Sequence, residues 1–288
     1  MTTENPPMQP QQLLPLIDIG ANLTHESFDH DLEEVLTRSA EAQIQKIMLT
    51  GTDLASTRQA IEWTAQRPNL FHATAGFHPH VASAWSLEAA REIAELVKKD
   101  EVVAVGECGL DYNRDFSPRE TQRDVFNAHL SLAASCRKPV FLHQREAHDD
   151  FLSIVKARRD ELVGGVVHCF TDSRRAMEDY LELGFYIGIT GWVCDDRRGK
   201  ELQETVRHLP LERLLIETDA PYLLPRTLRP RPKSRRNEPC YLPEVVAMLA
   251  QCKQCAPEEI ARYSTRNALQ LFNLRNPEEY SAEISEAG

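Results

Sequence analysis

The sequence has no G-x-G-x-x-G turn and no P-loop, so the common glycine-rich cradles for a bound nucleotide are missing. No stretch approaches the ~20 consecutive apolar residues of a membrane span. The first thirteen residues are polar and rich in Pro and Gln. They lack the basic and apolar blocks of a secretory signal. A cytoplasmic protein that stays off membranes is expected, with frayed ends at 1–13 and 275–288. Positive charge is scarce: the net charge is -11, which argues against general coating of nucleic acid but leaves room for a local basic groove. Seven scattered cysteines read as reduced thiols rather than a disulfide framework. Cys252-Lys253-Gln254-Cys255 has no second pair to complete a zinc site, and reads as structural. Repeats, low-complexity segments and convincing linkers are also missing. The 288 residues suit one large domain, expected over 14–274.

What is present is a recurring alternation. Short β-rich runs occur at Leu14–Ile19, Lys46–Thr50, Leu70–Ala75, Val102–Gly106, Pro139–Leu142, Gly165–Val167, Phe185–Ile189 and Arg213–Glu217. Amphipathic stretches separate them. Ser117-Pro118-Arg119-Glu120 reads as a capping box with Pro at the first helical position. Thr171 or Asp172 can cap a helix that Gly184 ends. Pro257-Glu258-Glu259 opens a last helix towards Phe272. Strands alternating with helices imply parallel pairing. Eight such units predict an α/β protein, a (β/α)8 TIM barrel. Pro225–Pro239 reads as a long loop after strand eight.

In such barrels chemistry gathers at the C-terminal ends of the strands. Six of the eight predicted strands finish in His, Asp or Glu. They end at Asp18, at His78-Pro79-His80, near Glu107, at His143, at His168 and at Glu217-Thr218-Asp219. Glu107, His143, His168 and Asp219 would converge on one barrel mouth. Two imidazoles with one or two carboxylates suit zinc, manganese, iron or nickel, and also loosely held magnesium. Cys108 and Cys169 adjoin these residues, and the alternation of a strand would turn them into the core.

GECGLDYNR (106–114), PVFLHQREAHDDF (139–151), VVHCFT (166–171), YIGITGWVCDDRRG (186–199), ETDAPYLLPR (217–226), SRRNEP (234–239) and GFHPH (76–80) resemble segments of the TatD family of metal-dependent deoxyribonucleases, over about Ile17 to Leu274. The resemblance implies a barrel of the metal-dependent hydrolase superfamily. It also implies a divalent metal and hydrolysis of DNA phosphodiesters from the 3′ end of single strands, with RNA as a further substrate and DNA repair or degradation as the setting. Carried over by motif, Glu107 is a ligand that can bridge two metals, and His143 and His168 are ligands. Asp219 is a ligand and general base. Many members carry D-x-H-x-H on strand one, where this chain has Gly20 and Asn22. That departure puts a second metal in question.

One divalent ion is therefore expected on Glu107, His143 and His168, with a weaker one on Glu107 and Asp219 once substrate phosphate completes its shell. Magnesium is the expected occupant, manganese and zinc the alternatives. His78 is the candidate for protonating a leaving group or touching phosphate, or else a structural histidine. Arg145 shares the strand face of His143, to neutralise phosphate or to pair with Glu107 or Asp219. Arg226, Arg229, Arg231, Lys233, Arg235 and Arg236 form a local basic excess, either a groove for a single strand or a solvated loop; Arg235 and Arg236 are the candidate contacts. Trp192 and Tyr222 are placed to stack on a base or to pack as lids. A monomer is expected. Two other classes stay open at this point. One is a small-molecule amidohydrolase, against which Lys138 sits at the wrong strand end to be a carboxylated lysine. The other is a non-catalytic metal-binding partner. Asp18, at the end of strand one without neighbouring histidines, reads as a residue that orients a ligand or a water.

Overall fold

A computed structural model of the protein describes residues 15–274. The expected frayed ends, and Leu14 at the start of the first predicted strand, lie outside the described residues. Eight strands follow one another: β1 (Leu16–Ala21), β2 (Ile44–Leu49), β3 (Phe71–Ala75), β4 (Val102–Asp111), β5 (Val140–Arg145), β6 (Gly165–Val167), β7 (Tyr186–Ile189) and β8 (Leu214–Ile216). All pair in parallel, in chain order. The helices are α1 (Leu32–Glu41), α2 (Leu54–Gln66), α3 (Leu87–Leu96), α4 (Arg119–Cys136), α5 (His148–Ala157), α6 (Arg174–Glu182), α7 (Lys200–Val206), α8 (Leu242–Lys253) and α9 (Pro257–Phe272). This is the predicted barrel of alternating strands and helices. Among the described residues no helix is long and apolar enough to cross a membrane.

Strand parity builds two apolar layers. Ile17, Ile19, Met48, Ala104, Phe141, Val166, Tyr186 and Leu215 form one buried cluster. They come from seven of the strands at alternating positions, which marks the barrel interior. Ala268, Phe272 and Leu274 at the end of α9 join that cluster. The alternate strand residues face the helices in a second, larger cluster that includes Phe28, Phe71, Phe126, Phe151 and Phe185. Each fully buried side chain of this size contributes roughly 1.5–3 kcal/mol.

The seam between β8 and β1 is joined beyond the strands proper. Ala21 bridges Ala220, the Asn22 amide donates to Ala220 O at 2.6 Å, and the Asp219 amide donates to Gly20 O at 2.8 Å. Asp18 adds side-chain bonds, accepting from the Thr218 amide at 2.9 Å and its hydroxyl at 2.5 Å. Asp18 is therefore not the last residue of β1. The strand runs on to Ala21, and the Asp18 carboxylate is fully buried and held by β1 and Thr218 rather than by a ligand. It also accepts from the Gly20 amide at 3.3 Å.

Three further expectations are corrected. β4 extends five residues past Gly106, to Asp111. Ser117 does not cap α4: its hydroxyl accepts from the Ser83 amide and donates to His80 O, and Pro118 takes the cap position. The cap of α6 is Ser173, which accepts from the Ala176 amide, because Asp172 is engaged by Gln144 at 2.8 Å. Gly184, with φ +77, does follow that helix.

Candidate metal centre

Glu107 sits on β4 and is buried. One of its oxygens, Oε1, gathers three imidazoles: His168 Nε2 at 2.7 Å, His143 Nδ1 at 2.9 Å and His78 Nε2 at 3.2 Å. They arrive from β5 and from the segments that follow β6 and β3. The ligand atoms of His78, Glu107 and His143 lie within 4.8 Å of one another. His143 Nε2 is buried without a hydrogen bond, 3.5 Å from Asp111 Oδ2. A carboxylate ringed by imidazoles, with one buried ring nitrogen unsatisfied, is a donor set that fits a divalent ion.

The electrostatics follow from burial and charge. Burial acts to raise the Glu107 carboxyl, but the charge of His168 and the hydrogen bonds from His143 and His168 hold it well below the usual carboxylate range. Burial acts to lower His168, but Glu107 and Glu217 together raise it well above an ordinary imidazole. His143 resists the same burial through Asp111 and Glu107 and is raised. His78 goes the other way: burial outweighs Glu107 and lowers it to about 4. It is thus a neutral imidazole, accepting from the His80 amide at Nδ1 (3.1 Å).

Asp219 stands beside this cluster. Its Oδ1 accepts from Asn22 Nδ2 at 3.1 Å and its Oδ2 from the Cys169 thiol at 3.9 Å. Burial, opposed by His168 and reinforced by Glu107 and Glu217, pushes its carboxyl up to about 8. Cys169 is a correction. β6 stops at Val167, so strand alternation no longer applies, and Cys169 takes a left-handed φ of +46 that turns its sulfur towards Asp219. Cys108, on a strand, is core as expected. All seven cysteines are free.

Several residues at the centre are absent from the sequence-based candidates. Glu217 is fully buried; it accepts from His168 Nδ1 at 3.3 Å and from the Cys169 amide at 2.6 Å. Gly20 makes room for it, because a Cβ there would lie 2.4 Å from Glu217 Oε2 and 3.1 Å from Phe141 Cζ. Asp111 accepts from His80 Nε2 at 2.7 Å and from the Asn113 and Arg114 amides. Burial works to raise Asp111, but the nearby His143 imidazole and the hydrogen bonds from His80 and the Arg114 amide hold it far below the carboxylate range. Their strand-end positions were the available signal. Asn237, from the SRRNEP segment, donates to Thr218 O at 2.9 Å and steadies the β8 end.

The cationic candidates divide. Arg145 makes no pair with Glu107 or Asp219; its guanidinium lies 5.4 Å from the Trp192 ring. Arg236 is corrected from a candidate substrate contact to a structural one. It grips Asp31 with both terminal nitrogens (2.8 and 2.6 Å), pairs with Glu238 at 2.9 Å and lies over Phe28. Arg226 pairs with Asp195 and Asp196, and Arg229 folds onto its own loop's carbonyls. Among the described residues Arg231, Lys233 and Arg235 are exposed and have no ion-pair partner. Tyr222 is exposed.

The closed order of strands and the carboxylate–imidazole cluster at its mouth define a barrel hydrolase of the metal-dependent kind. Residues 17–273 match the family described as TatD related DNase, and the chain belongs to that family. That membership makes it a nuclease, a hydrolase of phosphodiester bonds. Its relatives include the 3'-5' ssDNA/RNA exonuclease TatD of Erwinia tasmaniensis, 49% identical over 259 residues that cover 90% of this chain and 100% of the relative. The protein of that name from Erwinia billingiae is 50% identical, over 90% of this chain and 99% of the relative. Among solved structures, the TatD homolog YJJV of Escherichia coli superimposes with a TM-score of 0.82 at 29% identity, covering 90% of this chain and 98% of the other. An organophosphorus hydrolase variant from Deinococcus radiodurans shares the fold alone, at 14% identity and a TM-score of 0.58 over 91% of this chain and 93% of the other.

Proposed function

We propose that the protein is a divalent-metal-dependent exonuclease that removes nucleotides from the 3′ end of single-stranded DNA, and of RNA, in DNA repair or degradation. The observation that carries the reading is the shared Glu107 oxygen with three imidazoles around it and Asp219 alongside. Glu107, His143, His78 and His168 are the ligand candidates, so His78 joins the ligands rather than acting as a proton donor. An ion held there would supply Lewis-acid stabilisation of the phosphoryl oxygens and a more acidic water. Magnesium accepts phosphate and water readily; the imidazoles around Glu107 give manganese or zinc the better fit.

Asp219 is the proton acceptor for the attacking water: a divalent ion held on the neighbouring cluster would favour its ionised form against the burial that raises it. Asn22 and Cys169 orient it. Arg145 and the exposed cations Arg231, Lys233 and Arg235 would meet the phosphates of the strand. One chain supplies the whole cluster, so a monomer suffices. The amidohydrolase alternative loses support from Lys138, whose Nζ is held by the carbonyls of Lys99 (2.8 Å) and Val102 (2.6 Å), at the start of β4.

The test is hydrolysis of end-labelled single strands blocked at either the 3′ or the 5′ end, with magnesium, manganese or zinc. Protection by the 3′ block alone is expected. No release with any of the ions, or protection by the 5′ block alone, would sink the reading.

A further inference from the structure

At the end of the strand that carries His143 lies a pocket of about 320 Å³ built from the end of β5, the segments after β6 and β7 and the start of α7. That is within the range of small-ligand sites. Trp192 forms one wall, with the Arg198 guanidinium 4.4 Å and the Arg145 guanidinium 5.4 Å from its ring centre. Gln144 forms part of the floor and is more than nine-tenths buried. Its amide nitrogen is held by Asp172 Oδ2 and the Tyr180 hydroxyl, both at 2.8 Å. Its carbonyl oxygen has no partner. That oxygen is closed off from solvent, so Gln144 gives the pocket a fixed wall rather than a free hydrogen-bonding group.

We infer that this pocket is a nucleobase subsite, in which one base of the substrate strand stacks on the Arg145–Trp192–Arg198 ladder. This deepens the nuclease reading and rests on it. The carboxylates of Asp172 and Glu201 also line the pocket, and they disfavour a phosphate while tolerating a neutral base. Planar indole and guanidinium groups stack on any base. The subsite is therefore base-requiring and sequence-tolerant. Arg145 stands two residues after His143 on the same strand face, which sets the occupied base next to the phosphate under attack.

The experiment is an abasic walk. Single strands carrying one abasic residue at successive positions from the 3′ end are degraded by the wild-type protein and by Trp192→Ala. The wild type is expected to show one position where the abasic residue raises KM about tenfold, the scale of a lost stacked base. In Trp192→Ala, KM for the intact strand rises by a similar factor, and the abasic residue at that position adds nothing further. A flat walk in the wild type, or a full abasic penalty in the variant, overturns the subsite while leaving the nuclease reading intact. If no strand is cleaved at all, the nuclease reading has failed. The subsite is then judged by quenching of indole emission with a dinucleotide. Loss of that quenching in Trp192→Phe supports it, and no quenching in the wild type overturns it. Should Trp192→Ala not fold, Arg198→Ala replaces it, because that side chain is 62% exposed.

Discussion

The carboxylate of Asp18 takes both the amide and the hydroxyl of Thr218. The first strand thereby grips the residue between Glu217 and Asp219, the two carboxylates that frame the candidate centre. Burial, set against these hydrogen bonds and reinforced by Glu217, pushes the Asp18 carboxyl up to about 7. A raised carboxyl favours the folded state in its protonated form. Its contribution is fully present below about pH 4 and is lost as pH rises through about 7. Between pH 5 and pH 8, the wild type should lose about 3 kcal/mol relative to Asp18→Asn. Denaturant unfolding at both pH values measures this, and parallel profiles for the two proteins would refute it.

Glu107 and Asp219 should separate by experiment. Glu107→Gln keeps the shape but removes the charge that holds three imidazoles together. Metal binding by calorimetry should vanish, and kcat should fall by about a thousandfold or more, the scale of losing several kcal/mol of phosphoryl charge stabilisation. Asp219→Asn should retain most of the metal affinity and lose kcat. Equal loss of metal in both variants would make Asp219 a ligand instead of a base.

Metal affinity should rise with pH. His143 and His168 are raised, so bound protons compete with the ion until pH exceeds those values. His78, lowered to about 4, adds no competition above pH 5. Titration calorimetry in buffers of differing ionisation enthalpy should record on the order of one to two protons released per ion near pH 7. Affinity that stays level from pH 6 to pH 8.5 would contradict the assignment of these imidazoles.

How much of this was legible in the sequence depends on how local each cause is. The barrel was readable because each strand is a short apolar run closed by a polar end. The meeting of Glu107, His143 and His168 was readable because the C-terminal ends of barrel strands share one mouth. β4 reads short in the sequence because Gly106 and Gly109 interrupt its apolar pattern; in the structure both take positive φ, +141 and +144, within the strand. Asp18 reads as a strand end because its partner Thr218 is 200 residues away. Arg236 reads as part of a basic groove because Asp31, which engages it, lies 205 residues away. Glu217 is overshadowed by Asp219, since only the folded packing shows that Gly20 leaves space for it.

The basic loop should therefore respond unevenly. Reversing Arg231, Lys233 and Arg235 to Glu should weaken single-strand binding. The salt slope should fall by about 0.7 for each phosphate that is no longer neutralised. Arg236→Ala should leave that slope alone and cost about 1–3 kcal/mol of stability, because Asp31 and Glu238 lose a shared partner. A change of salt slope in Arg236→Ala would return that residue to the groove.

Gly20 and Glu217 should behave as one unit. A methyl at residue 20 would sit 2.4 Å from Glu217 Oε2, so Gly20→Ala must move the carboxylate off His168 and the Cys169 amide. Glu217→Ala removes the same hold directly. Partners that orient a ligating imidazole are worth about 10–100-fold in metal affinity, and each single variant should lose affinity on that scale. Because both changes act through one carboxylate, the double variant should be no worse than Glu217→Ala alone. Losses that multiply in the double variant would show that Gly20 acts on the centre by some other route, with Phe141, stacked 4.4 Å from His168 and 3.1 Å from that methyl, the next residue to vary.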